Sequence, residues 1–143
     1  MEDRYLCKAK RTDNGEWVIG GLVRYGFTGR EKYYIVPSYA SDLYALEIDP
    51  STICWCTGLK DDDGTLIFEN DVLSLKDEIS KCKWKAVVKF GNPNSEYTWG
   101  WQLVPITECD ANKDILMWVE TEMGYMYCEV IGNTFGNPEL LEV

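Results

Sequence analysis

Histidine is absent from this sequence, and its six cysteines include no pair separated by two residues. Structural zinc sites usually draw their ligands from closely spaced cysteine and histidine pairs. A zinc site would therefore need thiolates from scattered positions, and we predict no metal. Without a histidine base, the cysteines also lack the partner that commonly activates a cysteine nucleophile.

The common motifs of phosphate binding and of serine hydrolysis are also missing, because neither Gly-x4-Gly-Lys-Ser/Thr nor Gly-x-Ser-x-Gly occurs. The acidic run at residues 61–63 before Gly64 suggests a calcium loop. Aligning Gly64 with the invariant glycine of an EF-hand, however, puts Leu59 at the first ligand position and Asn70 at the twelfth, where a glutamate belongs. We therefore interpret the run as a solvated turn and predict no cofactor.

Paired carboxylates are the remaining candidate for chemistry. Glu69 and Asp71 flank Asn70 and could serve as acid and base in a carboxylate enzyme. A polar, exposed corner of a β protein would carry the same residues. We therefore expect no enzyme activity and keep the carboxylate enzyme as an alternative.

Long apolar runs are absent too, since no stretch approaches the roughly 20 residues that cross a bilayer. The first four residues, Met-Glu-Asp-Arg, do not begin a signal peptide. We expect a cytoplasmic protein, in which a reducing environment keeps the cysteines as thiols.

Basic residues are scarce: 14 lysines and arginines stand against 24 carboxylates, a net charge of −10. Such a charge opposes general attraction to nucleic acid, whose phosphates require a positive surface. Acidity maintains solubility, and it also suits a basic partner.

What the sequence does contain is a series of short strand patterns between turn signals, which predicts a mainly β protein. Asp13-Asn14-Gly15 predicts the turn of an opening hairpin, and Gly20-Gly21 within its second strand indicates a bulge or a close backbone approach. Residues 49–52 and 137–141 read as the starts of short helical turns. Residues 115–120 and 125–131 are predicted to form a last hairpin.

The clearest alternation of polar and apolar residues runs from Lys81 to Phe90 and predicts a strand with one buried and one wet face. With two tryptophans expected together on a neighbouring strand, the wet face is a candidate nucleic-acid surface. Lysines on an edge strand also prevent unwanted pairing, or neutralise nearby carboxylates, and both readings stay open. Trp17, Trp55 and Trp84 are expected in the core. The candidate contact residues are Lys81, Lys83, Lys85, Lys89, Trp99 and Trp101.

Three blocks, in order along the chain, resemble the YopX family of phage and prophage proteins. The first is residues 10–18 (KRTDNGEWV), and the second joins residues 57–61 (TGLKD), Gly64 and residues 67–72 (IFENDV). The third is residues 129–133 (EVIGN) with residues 137–141 (NPELL). Where the family usually has glycine in the Glu-Gly-Asp corner, this chain has Asn70, which also tolerates the left-handed region.

The resemblance implies a mainly β protein with an SH3-like β-barrel, an additional N-terminal β-hairpin region and short helical turns. It implies one domain over residues 1–143, with the N-terminal β region at 1–48 and the barrel region at 49–143. The family has no assigned activity and no accepted catalytic residues, so none is carried over. We expect a non-enzymatic, self-associating interaction module that binds a host or phage protein in the bacterial cytoplasm, with a nucleic-acid-binding accessory protein as the alternative.

Overall fold

The computed structural model describes residues 5–27, 29–37, 45–91, 100–106, 113–119 and 126–141. The chain forms two compact units, an N-terminal unit, Met1–Gly58, and a C-terminal unit, Leu59–Val143. Its described strands are β1 (Cys7–Lys10), β2 (Trp17–Tyr25), β3 (Lys32–Pro37), β4 (Leu46–Ile48), β5 (Cys54–Lys60), β6 (Leu66–Phe68), β7 (Asp71–Asp77), β8 (Cys82–Gly91), β9 (Gly100–Pro105) and β10 (Met126–Asn133).

The N-terminal unit is built on an antiparallel sheet in the order β4, β3, β2, β1, β5. Its opening hairpin is confirmed, because β1 pairs with β2 from Cys7 opposite Gly20 to Lys10 opposite Trp17. The predicted close approach is confirmed at Gly20, where a Cβ would collide with the Val36 carbonyl of β3. Any larger residue there would push β2 and β3 apart.

One face of this sheet is a hydrophobic core. The buried members are Cys7, Ala9, Val18, Ile35 and Ile48, which occupy one side of β1 to β4. At its margin, a short 3-10 helix, Pro50–Thr52, begins where Asp49 accepts a hydrogen bond from the Ser51 backbone N–H, as the Asp-Pro signal predicts. Cys54 and Cys56 are buried together on one side of β5, whereas Trp55 between them is 43% exposed and the expectation that it is core is wrong.

The C-terminal unit contains an antiparallel sheet in the order β10, β7, β8, β9. Its inner face carries the larger core, in which the rings of Trp84 and Trp118 meet edge to face at 5.6 Å. The fully or nearly fully buried residues of this core are Ile67, Leu73, Leu75, Trp84, Ala86, Val88, Leu103, Ile115, Trp118, Val119 and Cys128. The turn at residues 61–65 leads from β5 to β6.

Two local predictions fail in this unit. Ile115–Met117 forms a 3-10 helix capped by Asp114, and so the predicted hairpin with the strand at 126–133 does not form. Phe90 lies on the same side of β8 as the buried Trp84, Ala86 and Val88, where the alternation predicts burial, but it is 63% exposed. The closing helical turn is confirmed as a 3-10 helix, Pro138–Leu141.

The expectation of a mainly β protein is confirmed, and the two sheets are antiparallel. Within the described ranges the strands close no barrel, and the SH3-like barrel implied by the resemblance is not confirmed. In the same part of the chain we find no helix with the length and hydrophobicity to cross a membrane. Five described cysteines carry reduced thiols: Cys7, Cys54, Cys56, Cys82 and Cys128.

Candidate interaction surfaces

The predicted lysine strand is β8, and its wet face is the first candidate surface. Lys83, Lys85 and Lys89 alternate with buried residues along the strand, and Lys81 precedes it with a positive φ of 60°. On one side β7 pairs with β8 from Cys82 to Val87, whereas on the other side β9 pairs with it only from Ala86 to Gly91. Protection of an exposed edge therefore does not explain Lys89, but it still applies to Lys83.

Trp101 does not join the lysines. It lies opposite Phe90 in the register of β8 and β9, whereas Lys89 lies opposite Gln102. Because side chains alternate between the faces of a strand, Trp101 is on the inner face of the sheet. There it stacks edge to face with Phe90, with ring centres 5.0 Å apart. Trp99 lies outside the described residues.

The residues that do join the lysines come from β7 and β10. Lys76 of β7 lies directly opposite Lys83 of β8 on one side and Tyr127 of β10 on the other. The Lys76 ammonium is 5.9 Å from the centre of the Tyr127 ring. We call the outer surface formed by Lys76, Lys81, Lys83, Lys85 and Tyr127 the lysine face.

Glu129 of β10 lies on the same face, in one row with Ser74 and Lys85. Glu78 is the acidic residue that forms an ion pair with this cluster. Its carboxylate lies 2.8 Å from the Lys76 ammonium. The hydrogen bond from Lys76 holds the pKa of Glu78 below its ordinary value, and the positive charges of Lys81 and Lys83 lower that pKa further. The same contact raises the pKa of Lys76. A hollow of about 260 Å³ lies between these groups, lined by Lys76, Asp77, Glu78, Lys81 and Lys83.

The second candidate surface is the outer face of the N-terminal sheet, which is apolar. Ile19, Val23 and Tyr25 of β2 point outward, and Tyr25 is 74% exposed. The register places Val36 and Tyr34 of β3 on the same face, opposite Gly21 and Val23. We call the group Ile19, Val23, Tyr25, Tyr34 and Val36 the apolar face.

Charged residues of β1 and β4 border the apolar face. Lys8 and Lys10 of β1 have ammonium groups 5.2 and 5.6 Å from the centre of the Trp17 ring. Glu47 of β4 pairs with Lys32 of β3 at 3.7 Å. The ends of β1 and β4 also meet, because the Asp49 N–H donates to the Lys10 carbonyl at 2.9 Å, so that basic and acidic residues lie together at this border.

A hollow of about 450 Å³ lies at the end of the N-terminal unit that holds the β1–β2 turn. Arg11 and Lys32 line it, but each already has a carboxylate partner: Asp13 at 2.6 Å and Glu47 at 3.7 Å. Since its charges are balanced internally, the hollow indicates no particular ligand.

The acidic run at residues 61–63 is a clasp on the outer edge of β10. The Asp61 carboxylate accepts hydrogen bonds from the backbone N–H groups of Asp63 and Thr65 at 3.0 and 2.9 Å, and from Val130 at 2.9 Å. The Asp62 carboxylate accepts the Cys128 N–H at 2.8 Å, and the Asp62 N–H donates to the Cys128 carbonyl. Two of the three carboxylates therefore accept the N–H groups that β10 presents at the edge of its sheet. The prediction of a solvated turn is wrong for Asp61, which is buried.

The Glu-Asn-Asp corner, like the acidic run, makes its hydrogen bonds within the protein. Asn70 has a φ of 70°, the left-handed conformation that the resemblance to the family implies. Its N–H donates to the Val88 carbonyl at 2.9 Å, and its side-chain oxygen accepts a hydrogen bond from the Lys89 ammonium. Asp71, 1% exposed, accepts the Phe68 N–H at 2.8 Å. Asp71, one member of the hypothetical acid–base pair, is therefore buried and hydrogen-bonded to the backbone, while Glu69, the other member, is half-buried.

The closing block folds back on itself around Gly132. The Asn133 side chain accepts the backbone N–H groups of Phe135 and Gly136 at 2.9 and 2.8 Å. The Asn137 side chain accepts the Asn133 N–H, and a Cβ on Gly132 would meet that same Asn137 oxygen at 2.6 Å. These contacts fix the turn that follows β10.

A comparison with known protein families explains why these blocks stand out. The profile of the YopX family, described as YopX protein, matches residues 9–142. This chain belongs to the YopX family. A search of curated proteins and a search of solved structures each returned no match. Membership of this family makes the chain a phage-type protein.

In this YopX protein the central and closing family blocks supply backbone contacts, through Asp61, Asn70, Asp71, Asn133 and Asn137. The first block supplies the β1–β2 turn, where the Arg11 and Gly15 backbones are hydrogen-bonded across Asp13-Asn14. Across the described ranges no three His, Cys, Asp or Glu side chains group together as metal ligands would.

Sequence reasoning missed Lys76, Tyr127 and the apolar face of this YopX protein. Lys76 and Tyr127 belong to strands far apart in sequence, and only strand register reveals that they share a face with Lys83. A signal for the apolar face was present, because Trp17, Ile19, Val23 and Tyr25 follow a period of two along β2.

Proposed function

We propose that this chain is a non-enzymatic protein-interaction module that self-associates and acts in the cytoplasm of a bacterial host. The apolar face carries this proposal. An outward-facing group of aliphatic and aromatic residues on a sheet is typical of an interface, whereas scattered single apolar residues are normal on any surface. Phe27, at the tip of the β2–β3 connection, adds a side chain that is 85% exposed.

A second copy of the chain is the occupant that we propose for the apolar face. Two copies that pack through this face about a two-fold axis place the same residues against each other, and aliphatic and aromatic side chains are complementary to their own kind. Lys8, Lys10 and Glu47 then lie at the border of the contact, where charges of both signs are present.

Our proposal that the chain is not an enzyme rests on how the acidic groups of the 61–63 turn and of the Glu-Asn-Asp corner are used. Asp61, Asp62 and Asp71 accept backbone N–H groups, which orients them for structure and occupies oxygens that acid–base catalysis would need. A protein that modulates a host or phage partner needs a surface and no such groups.

The experiment is size-exclusion chromatography with light scattering over a range of concentrations. We expect a concentration-dependent dimer, and Val23→Glu should weaken it by at least about ten-fold because the change buries a charge at the centre of the contact. Ile79→Glu is the matched control: Ile79 is 71% exposed in the β7–β8 turn and should leave association unchanged. A monomer at every concentration, or equal effects of the two changes, would refute the proposal.

A further inference from the structure

Charge is strongly segregated within the C-terminal unit. Residues 59–143 contain seven lysines and no arginine against sixteen carboxylates, which gives this unit a net charge of −9. Four of the seven lysines, Lys76, Lys81, Lys83 and Lys85, nevertheless lie on the lysine face, and Lys89 follows on the same strand. In so acidic a unit, lysines dispersed among the carboxylates would contribute more to stability than lysines gathered together.

The register makes this gathering unfavourable in the isolated protein. Lys76 and Lys83 are directly opposite each other on neighbouring strands, an arrangement in which like charges repel. Glu78 pairs with Lys76 only, and no ion pair of the Lys83 or Lys85 side chains is found among the described residues. An anionic ligand would remove this repulsion.

The shape of the lysine face suits a chain of phosphates beside a base. Lys83 and Lys85 are two residues apart on one strand, so their Cα atoms are about 7 Å from each other along a line. Tyr127, 42% exposed, lies two strands away in the same row as Lys83 and presents an aromatic ring. Basic side chains along a track with an aromatic ring beside it are the combination that binds single-stranded nucleic acid.

We propose that the lysine face binds single-stranded nucleic acid, with phosphates on Lys76, Lys83 and Lys85 and a base stacked on Tyr127. The hollow beside these lysines is also lined by Asp77 and Glu78, so a phosphate enters it only when Glu78 turns away from Lys76. Duplexes bind less well, because their bases are not available to Tyr127 and their second strand approaches the acidic remainder of the unit. This site is separate from the apolar face, so its test is independent of self-association.

The test is fluorescence anisotropy with a labelled single-stranded DNA of about 12 nucleotides at low salt, a length within the range that single β domains cover. Lys83→Glu should weaken binding at least about ten-fold. Lys60→Glu, the same charge change at an exposed lysine outside the face, should change it less than about two-fold. The affinity of the unmodified protein should fall with salt with a logarithmic slope near −2, as expected for about three phosphate contacts.

Two further variants separate ligand binding from a structural role. Glu78→Gln releases Lys76 from its carboxylate and should tighten binding about two- to three-fold, a gain that misfolding cannot produce. Tyr127→Phe should retain binding and Tyr127→Ala should weaken it, because stacking needs the ring and not the hydroxyl.

The proposal fails if the unmodified protein does not bind at low salt, or if Lys83→Glu and Lys60→Glu behave alike. It also fails if a duplex of the same sequence binds equally well. Binding of polyglutamate of matching charge with the same dependence on Lys83 would assign the face to an acidic protein segment and overturn the nucleic-acid assignment.

Discussion

The acidic clasp at residues 61–63 and the lysine face lie in the same unit and use their charges in opposite ways. Asp61 and Asp62 direct their carboxylates at backbone N–H groups of residues 63, 65, 128 and 130, so that their charge completes the edge of β10. Lys83 and Lys85 are exposed to solvent; Lys83 lies opposite Lys76, and Lys85 lies two residues further along the strand. The two regions have similar composition, since each is a short run of like-charged residues. They differ in what the charged groups contact.

This comparison shows how to separate structural charges from functional ones. A carboxylate that accepts two or three buried backbone N–H groups has most of its hydrogen-bonding capacity occupied by the fold. A lysine without such contacts, held near other lysines, contributes little to stability and can serve a ligand. We therefore expect the two regions to respond in opposite ways to substitution.

The largest expected effect is on the clasp. Asp61→Ala removes the acceptor of three backbone N–H groups, one of them on β10, and should lower the free energy of unfolding by about 3 kcal/mol. Urea denaturation measures this. Asp63→Ala, two residues away but exposed, is the control and should cost less than about 0.5 kcal/mol. Equal losses in the two variants would show that the clasp is not what stabilises this turn.

The buried thiol of Cys128 beside the clasp gives a pH dependence of intermediate size. Burial, with added repulsion from Asp61 and Asp62, raises the pKa of Cys128 from 9.0 to about 12. The unfolded chain therefore releases this proton from pH 9.0 upward while the folded chain keeps it, and stability falls as the pH rises from about 9 to about 12. At pH 10 the loss should be about 1 kcal/mol.

Urea midpoints at pH 8 and pH 10 test this dependence. Cys128→Ala should reduce the difference between the two pH values, whatever it does to stability at pH 8. Burial also raises the pKa of Cys7, to about 11, so a residual loss should remain in the variant. An unchanged difference would mean that Cys128 ionises alike in both states.

The smallest effect distinguishes lysines within β8 itself. The Lys89 ammonium donates to the Asn70 side chain, whereas Lys85 makes no such contact in the part of the chain that the structure describes. Lys89→Ala should therefore cost about 1 kcal/mol, and Lys85→Ala less than about 0.5 kcal/mol. Thermal or urea unfolding of the two variants measures both losses. If Lys85→Ala costs more, Lys85 has a structural role and the comparison with the clasp fails.

Local sequence patterns predicted much of the framework. The alternation along β8, the β1–β2 hairpin and the close approach at Gly20 were all predicted from neighbouring residues, because each depends on backbone preference or on a period of two. The predicted hairpin of residues 115–120 failed for the same reason. Asp114 caps a 3-10 helix there, and a short apolar run does not by itself distinguish a helical turn from a strand. The left-handed Asn70 was expected from the resemblance to the family, which has glycine at that corner.

The candidate surfaces were harder to predict from the sequence. Four of the six candidate contact residues, Lys81, Lys83, Lys85 and Lys89, lie along or just before β8, but the Trp101 ring is on the opposite side of the sheet. A shift of one residue in the register between β8 and β9 would have placed Trp101 beside the lysines. No sequence feature near Trp101 indicates the register of β9 against β8.

The sequence by itself determined that this chain is a mainly β YopX protein, where its turns fall, and which residues of each strand share a side. Those properties follow from side-chain chemistry and backbone preference over a few residues. Only the tertiary structure decided that β8 is an inner strand, that Asp61 and Asp62 bind the edge of β10, and that Lys76 and Tyr127 join Lys83. Pairing between distant strands brings these groups together, and a local pattern does not encode it.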